Sequence, residues 1–126
     1  MHQGAIIECV PNFSEGRDLL VINQITEAIS SIEGVSLLNV DPGKATNRTV
    51  VTLVGSPEAV IEAAFQGIKK AAELIDMSRH KGEHPRMGAT DVCPLIPIAG
   101  ITMEETVIWA KRLAERVGKS LDIPVY

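Results

Sequence analysis

His80, Glu83 and His84 fall within five positions of one another in "SRHKGEHPRMGATD" (residues 78–91), with Arg79, Lys81 and Arg86 among them and Gly82, Pro85 and Gly88 punctuating the run. Imidazole is the side chain whose ordinary titration lies nearest neutral pH, so a fixed histidine suits a reaction that takes a proton and later returns it. His84 is the better placed of the two. Pro85 restricts it to extended backbone, and the glycines on either side permit tight turns. A loop constrained in this way holds a side chain at little further entropic cost. The alternative is a solvated loop histidine with no chemistry.

The segment "HKGEH" also fits H-x-x-E-H, in which two imidazoles four apart on a helix bind zinc and the glutamate acts as base. Gly82 inside that helix and Pro85 directly after it argue against the pattern. No third ligand follows on a later helix, so no metal is expected. Arg79, Lys81 and Arg86 offer a carboxylate site through charge-assisted hydrogen bonds, or else form a solvated basic loop. Two other polar segments stand out. "DPGKATNR" carries Asp41, Asn47 and Arg48, which are either turn formers or groups that orient an imidazole. "PNFSEG" carries Asn12 and Ser14, which either cap the following helix or present backbone N–H groups to an anion.

The elements that must position these residues follow from periodicity. "AIIECVP" (5–11) is apolar and partly β-branched and predicts a first strand. Residues 18–32 place Leu19, Ile22, Ile25, Ile29 and Ile32 on one helical stripe, which Gly34 ends. Residues 35–41 and 48–55 predict a hairpin closed by "PGKATN". Ser56 and Pro57 open a second helix that buries Val60, Ile61, Ala64, Ile68, Ala71 and Ile75 and fades at Asp76. "DVCPLIPI" (91–98) predicts a fourth strand, and its prolines suit a sheet edge. Thr102 and Glu105 form a capping box for a third helix that buries Val107, Ala110, Leu113, Val117 and Leu121. "IPVY" predicts the start of a fifth strand. Met77, Met87 and Met103 are expected to be packing residues, and Trp109 lies off the main stripe of its helix.

The order is βαββαβ followed by an extra αβ. It predicts an α+β fold, a ferredoxin-like split βαβ sandwich with helices on one face of a mostly antiparallel sheet, as a single domain over 1–126. In that topology the exit of strand one, the hairpin between strands two and three, and the entry to strand four share one rim. The three polar segments then converge there, where function is usually carried.

Composition bounds the class. The chain has 126 residues, 45% apolar and 22% charged, with net charge −4 and only four aromatic residues. No basic face with stacking aromatics is evident, so nucleic-acid binding is not expected. No apolar run approaches the ~20 residues that cross a bilayer, and the N-terminus lacks a signal-peptide pattern, so no membrane partner and a cytoplasmic location are expected. Cys9 and Cys93 match no zinc spacing and are expected to be reduced core residues.

"ECVPNFSEGR", "DPGKATNRTVVTLVG" and "IDMSRHKGEHPRMGATDVCPLIP" closely resemble the N-terminal subdomain of the glutamate formimidoyltransferases, including the transferase part of formimidoyltransferase-cyclodeaminases. The resemblance runs from about Ile7 to Tyr126. It implies transfer of a formimidoyl group from N-formimidoyl-L-glutamate to tetrahydrofolate, as co-substrate, in histidine degradation and one-carbon metabolism. It places the catalytic histidine at His84. Substrate contacts are expected from Asn12, Asp41, Asn47, Arg48, His80, Lys81, Glu83 and Arg86, the polar residues of the three segments. It also implies two related subdomains with folate between them, and a homo-oligomer. Family members continue beyond "DIPVY", so a second subdomain, in cis or in trans, is expected to complete the site. A non-catalytic binding or assembly module of the same family is the alternative.

Overall fold

The computed structural model describes residues 4–75 and 88–123. Its elements are β1 (Ile6–Cys9), β2 (Asn12–Phe13), α1 (Leu19–Ser30), β3 (Val35–Gly43), β4 (Arg48–Gly55), α2 (Pro57–Leu74), β5 (Thr90–Val92), β6 (Leu95–Ala99) and α3 (Met103–Leu121). The architecture is α+β, with three helices and one antiparallel sheet among the described residues.

The expected first strand is broken at Val10–Pro11 and the expected fourth at Cys93–Pro94. The breaks face each other, and Val10 N–H donates to the Pro94 carbonyl at 3.1 Å. Pro11 has no N–H for a ladder, yet its carbonyl still accepts from Val51 N at 3.0 Å. Central β4 pairs with β1 and β2 on one side and with β3 on the other. Beyond them, β6 pairs with β1 and β5 with β2, so the proline-containing segment lies at an edge. The extra strand predicted at "IPVY" lies, from residue 124 on, outside the described residues.

Strand alternation assigns the faces. Ile7 and Cys9 of β1, Phe13 of β2, and Thr49, Val51 and Leu53 of β4 are buried. The apolar members of this set form one core with Ile25 and Ile29 of α1, Val60, Ala64 and Ile68 of α2, and Leu113 and Val117 of α3. All three helices therefore pack on one side of the sheet. The other side is left to Ile6, Glu8, Val50, Thr52, Val54, Ile96 and Ile98, none of which is buried.

The helix ends match local chemistry. Asp18 caps α1, its carboxylate accepting from Leu20 N at 3.0 Å. Ser56 caps α2 with Pro57 in the first turn, and Thr102 and Glu105 form a capping box on α3. Four expected packing positions are not core: Met103, in the first turn of α3, is 61% exposed, Ala110 is only half-buried and outside the core cluster, and Leu19 and Val107 are exposed. Leu19, in the first turn of α1, is 61% exposed, because the buried stripe starts one turn later at Ile22. Val107 is 44% exposed, and α3 buries Thr106 in its place. Threonine is tolerated there because its hydroxyl donates to the Thr102 carbonyl at 2.8 Å, leaving no orphan donor. No helix among the described residues is long and apolar enough to cross a membrane.

Helices α2 and α3 are tied by Arg116, whose two terminal nitrogens donate to the two carboxylate oxygens of Glu62 at 2.9 and 3.2 Å. The same guanidinium lies 3.8 Å over the Phe65 ring. The Arg116 hydrogen bond, and after it one from Gln66, hold the Glu62 carboxyl below its ordinary range. Both side chains of the pair are more than a third exposed (39% and 38%), so solvent screens much of the attraction. A depressed folded-state pKa stabilises above the unfolded value and is lost as pH falls through the folded one. Glu62→Gln is expected to destabilise by less than ~1 kcal/mol at neutral pH. That difference should vanish on acidification below the usual carboxylate range, as urea denaturation at a series of pH values would show.

Candidate functional site

Three separated segments meet at one rim of the sheet. Gly16 N–H donates to Asn47 Oδ1 at 2.8 Å in a buried contact. Arg17 Nε donates to the Lys44 carbonyl at 2.8 Å. The Thr49 hydroxyl donates to the Glu15 carbonyl. These bonds join the turn after β2 to the β3–β4 hairpin. The third segment arrives at Gly88: Ser14 Oγ donates to the Gly88 carbonyl at 2.7 Å, and Ser14 N to the Ala89 carbonyl at 2.8 Å.

The turn and hairpin approach so closely that Gly16 has no room for a side chain. A Cβ there would lie 2.2 Å from the Gly43 carbonyl oxygen and 2.5 Å from Arg48 N. Asn47 has a left-handed backbone (φ 51°), which asparagine tolerates better than most residues. It is 8% exposed. Its carbonyl oxygen holds the neighbouring turn, so this contact is a scaffolding one. Asn47→Ala removes the acceptor from a buried N–H and is expected to cost about 1–3 kcal/mol in chemical denaturation.

Asn12 and Asp41 are brought together by register. Both pair with Val50 of β4, one from each side, and Val92 of β5 pairs with Asn12. Val92, Asn12, Val50 and Asp41 therefore form one row across the sheet. Asn12 alternates with buried Phe13, so this row lies on the face away from the helices. Arg48, two residues before Val50, belongs to the same face and is half-buried; Asp41 is exposed. Asn12 Nδ2 donates to the Val10 carbonyl at 3.1 Å, which holds the side chain against the break that precedes its strand. Asn12 and Ser14 do not cap α1, since Asp18 does so.

His80, Lys81, Glu83, His84 and Arg86 lie outside the described residues, as do Arg79, Met77 and Met87. In sequence His84 is four positions before Gly88, whose carbonyl is bonded to Ser14. Among the described residues no group of three or more His, Cys, Asp or Glu could hold a metal ion.

Sequence reasoning passed over the helix-free face as a surface in its own right. Towards the end away from Asn12 it becomes apolar, with Ile6 (39%), Ile96 (39%) and Ile98 (53%) exposed around Glu8. The signal was present in "AIIECVP" and "DVCPLIPI", where apolar residues follow one another instead of alternating with polar ones.

Comparison with known proteins decides the family. The model of "Formiminotransferase domain, N-terminal subdomain" matches residues 6–126. The chain belongs to this family. A formimidoyltransferase-cyclodeaminase from Gallus gallus is 57% identical over 121 residues, covering 96% of this chain and 22% of that protein. One from Mus musculus is 56% identical with the same coverage. A glutamate formimidoyltransferase from Streptococcus pyogenes serotype M1 is 51% identical over 121 residues, covering 96% of this chain and 40% of its own length. This formiminotransferase subdomain thus spans less than half of each of these relatives.

Proposed function

We propose that the chain is the histidine-bearing half of a glutamate formimidoyltransferase, using tetrahydrofolate as co-substrate. The observation that carries this reading is the family match over residues 6–126, joined by relatives at 51–57% identity whose names all specify formimidoyl transfer. Support from geometry is the meeting of the 14–17 turn, the 44–47 hairpin and Gly88, which brings all three polar segments to one rim.

In this account the nitrogen at position five of the folate attacks the formimidoyl carbon and gives its proton to the His84 imidazole. The tetrahedral intermediate then collapses as the same imidazole protonates the departing glutamate nitrogen. An imidazole with a pKa near ~6.5 suits both steps. Both substrates carry glutamate carboxylates, which Arg48, Lys81 and Arg86 are suited to meet. Asp41 and Asn12 orient polar groups from the sheet row, with His80 and Glu83 beside His84, and Asn47 serves by holding the rim together. Holding both substrates in place supplies much of the remaining acceleration. No resident metal enters the scheme.

The fold reading goes with it. Taking β1–β2 and β5–β6 each as one broken strand gives the order β5/β6, β1/β2, β4, β3, all antiparallel, which supports a ferredoxin-like split βαβ over a single domain of residues 1–126. The exposed apolar part of the sheet supports a second subdomain lying over it and completing the folate site; the family reading adds a cytoplasmic oligomer.

The test is a transfer assay on the chain alone and with the complementary C-terminal part of a glutamate formimidoyltransferase, in cis or in trans. Turnover that depends on both parts is expected. Assembly of the two without turnover would favour the non-catalytic module.

A further inference from the structure

We propose that Cys9 and Cys93 are an oxidative modification site, a thiol pair that closes to a reversible intramolecular disulfide. The inference does not depend on the transferase reading. The two Sγ atoms lie 3.4 Å apart although 84 positions separate them in sequence. They are the only two cysteines in the chain. Cys9 ends β1 and pairs with Leu95; Cys93 stands two positions before Leu95, in the break between β5 and β6. Diagonal neighbours on adjacent strands usually keep their backbones ~7–8 Å apart. Here the break at Pro94, whose carbonyl is bonded to Val10 N, sets the two sulfurs in contact. Reaching an S–S bond of ~2.05 Å from that separation is within the range of small side-chain rotations.

Accessibility orders the steps. Cys9 is fully buried and Cys93 half-buried, so an oxidant meets Cys93 first. With a peroxide, the Cys93 sulfur attacks the O–O bond, keeps one oxygen as a sulfenic acid, and the other leaves as water. The Cys9 sulfur then attacks the Cys93 sulfur, and the hydroxyl departs as a second water with the Cys9 proton. Two thiols have lost two electrons and one peroxide has become two waters. A small disulfide does the same through a mixed disulfide on Cys93, releasing two thiols. The hydrogen bond it shares with Cys93, and then burial, push the Cys9 thiol up. Cys9 is accordingly the slower, resolving partner. The product would pin β1 to the edge segment on the core side of the sheet, close to the Asn12–Val92 pairing.

The experiment treats the reduced chain with graded hydrogen peroxide and, separately, with glutathione disulfide. Remaining thiols are alkylated in denaturant and the intact mass is measured. Expected is joint loss of both alkylation sites, with the mass of two hydrogens removed, restoration by dithiothreitol, and an upward shift in Tm. Cys9→Ala should leave Cys93 carrying glutathione. Cys93→Ser should leave Cys9 fully alkylatable after the same exposure. The proposal is overturned if both thiols stay alkylatable. It is equally overturned if Cys93 advances to a sulfinic acid while Cys9 stays free, or if the bond forms only between two chains on non-reducing electrophoresis.

Discussion

His84→Ala, assayed with the complementary subdomain present, is expected to lower kcat for formimidoyl transfer by roughly a hundred- to ten-thousand-fold. At ~1.36 kcal/mol per tenfold, that is about 2.7–5.4 kcal/mol of lost transition-state stabilisation. On the proposed role the loss belongs in kcat, because an imidazole that moves protons during the reaction adds little to ground-state binding. Two accompanying results separate catalysis from folding. Circular dichroism and Tm should be unchanged, and the pH–rate profile should lose the limb that the proton-transferring group supplies. Arg86→Ala should instead raise KM, since a charge that meets a substrate carboxylate binds ground and transition states alike. Full turnover in the His84 variant would remove the proton shuttle from the scheme.

The second large effect is steric. Gly16→Ala would set a methyl group 2.2 Å from the Gly43 carbonyl oxygen, 2.5 Å from Arg48 N and 2.8 Å from the Arg48 carbonyl oxygen. All three are backbone atoms, and Gly43 pairs with Arg48 at the end of the β3–β4 ladder, so no flexible side chain can give way. Overpacking of this kind costs typically about 1–3 kcal/mol, and rigid neighbours place this site at the upper end. For a domain of this size the fall in Tm is then roughly 8–12 °C. Because the hairpin carries Asp41 and Arg48, transfer activity should fall below what the folded fraction explains. Gly118→Ala, inside α3, is the contrast: outside the helix's own backbone an added Cβ would meet nothing nearer than the Ile123 carbonyl oxygen, at 3.8 Å. Alanine there should stabilise by about 0.5–1 kcal/mol through helix propensity.

Local chemistry made much of the fold legible. The α2 stripe from Val60 to Ala71 is buried as its periodicity predicts, and the Ser56 cap and the Thr102–Glu105 box form as read. What was not legible depends on partners distant in sequence. Pro11 lacks the N–H a ladder needs, but that its break falls opposite the one at Pro94 depends on register. Val107 and Thr106 exchange places because α3 is rotated against α2 and β6, and a count along one helix does not fix that rotation. At the site, the convergence of three segments followed from topology, but the division of labour within it did not. Asn47 read as a turn former or an orienting group beside Asp41 and Arg48, and its side-chain contact to Gly16 across the rim could not be read from the sequence. Asn12 looked like a helix cap, and it lies in a strand beside Val50. The contact between Cys9 and Cys93 was equally hidden, since strand alternation marks each as apolar-facing without pairing them.

The most direct measurement is the structure of this chain joined to its complementary subdomain with a folate bound. The account predicts the reactive ring over the helix-free side of the sheet, beside Asn12 and Asp41, with the His84 imidazole within hydrogen-bond reach of the ring nitrogen at position five. A folate lying against α1–α3, or a His84 ring turned away from the Gly16–Asn47 rim, would contradict it.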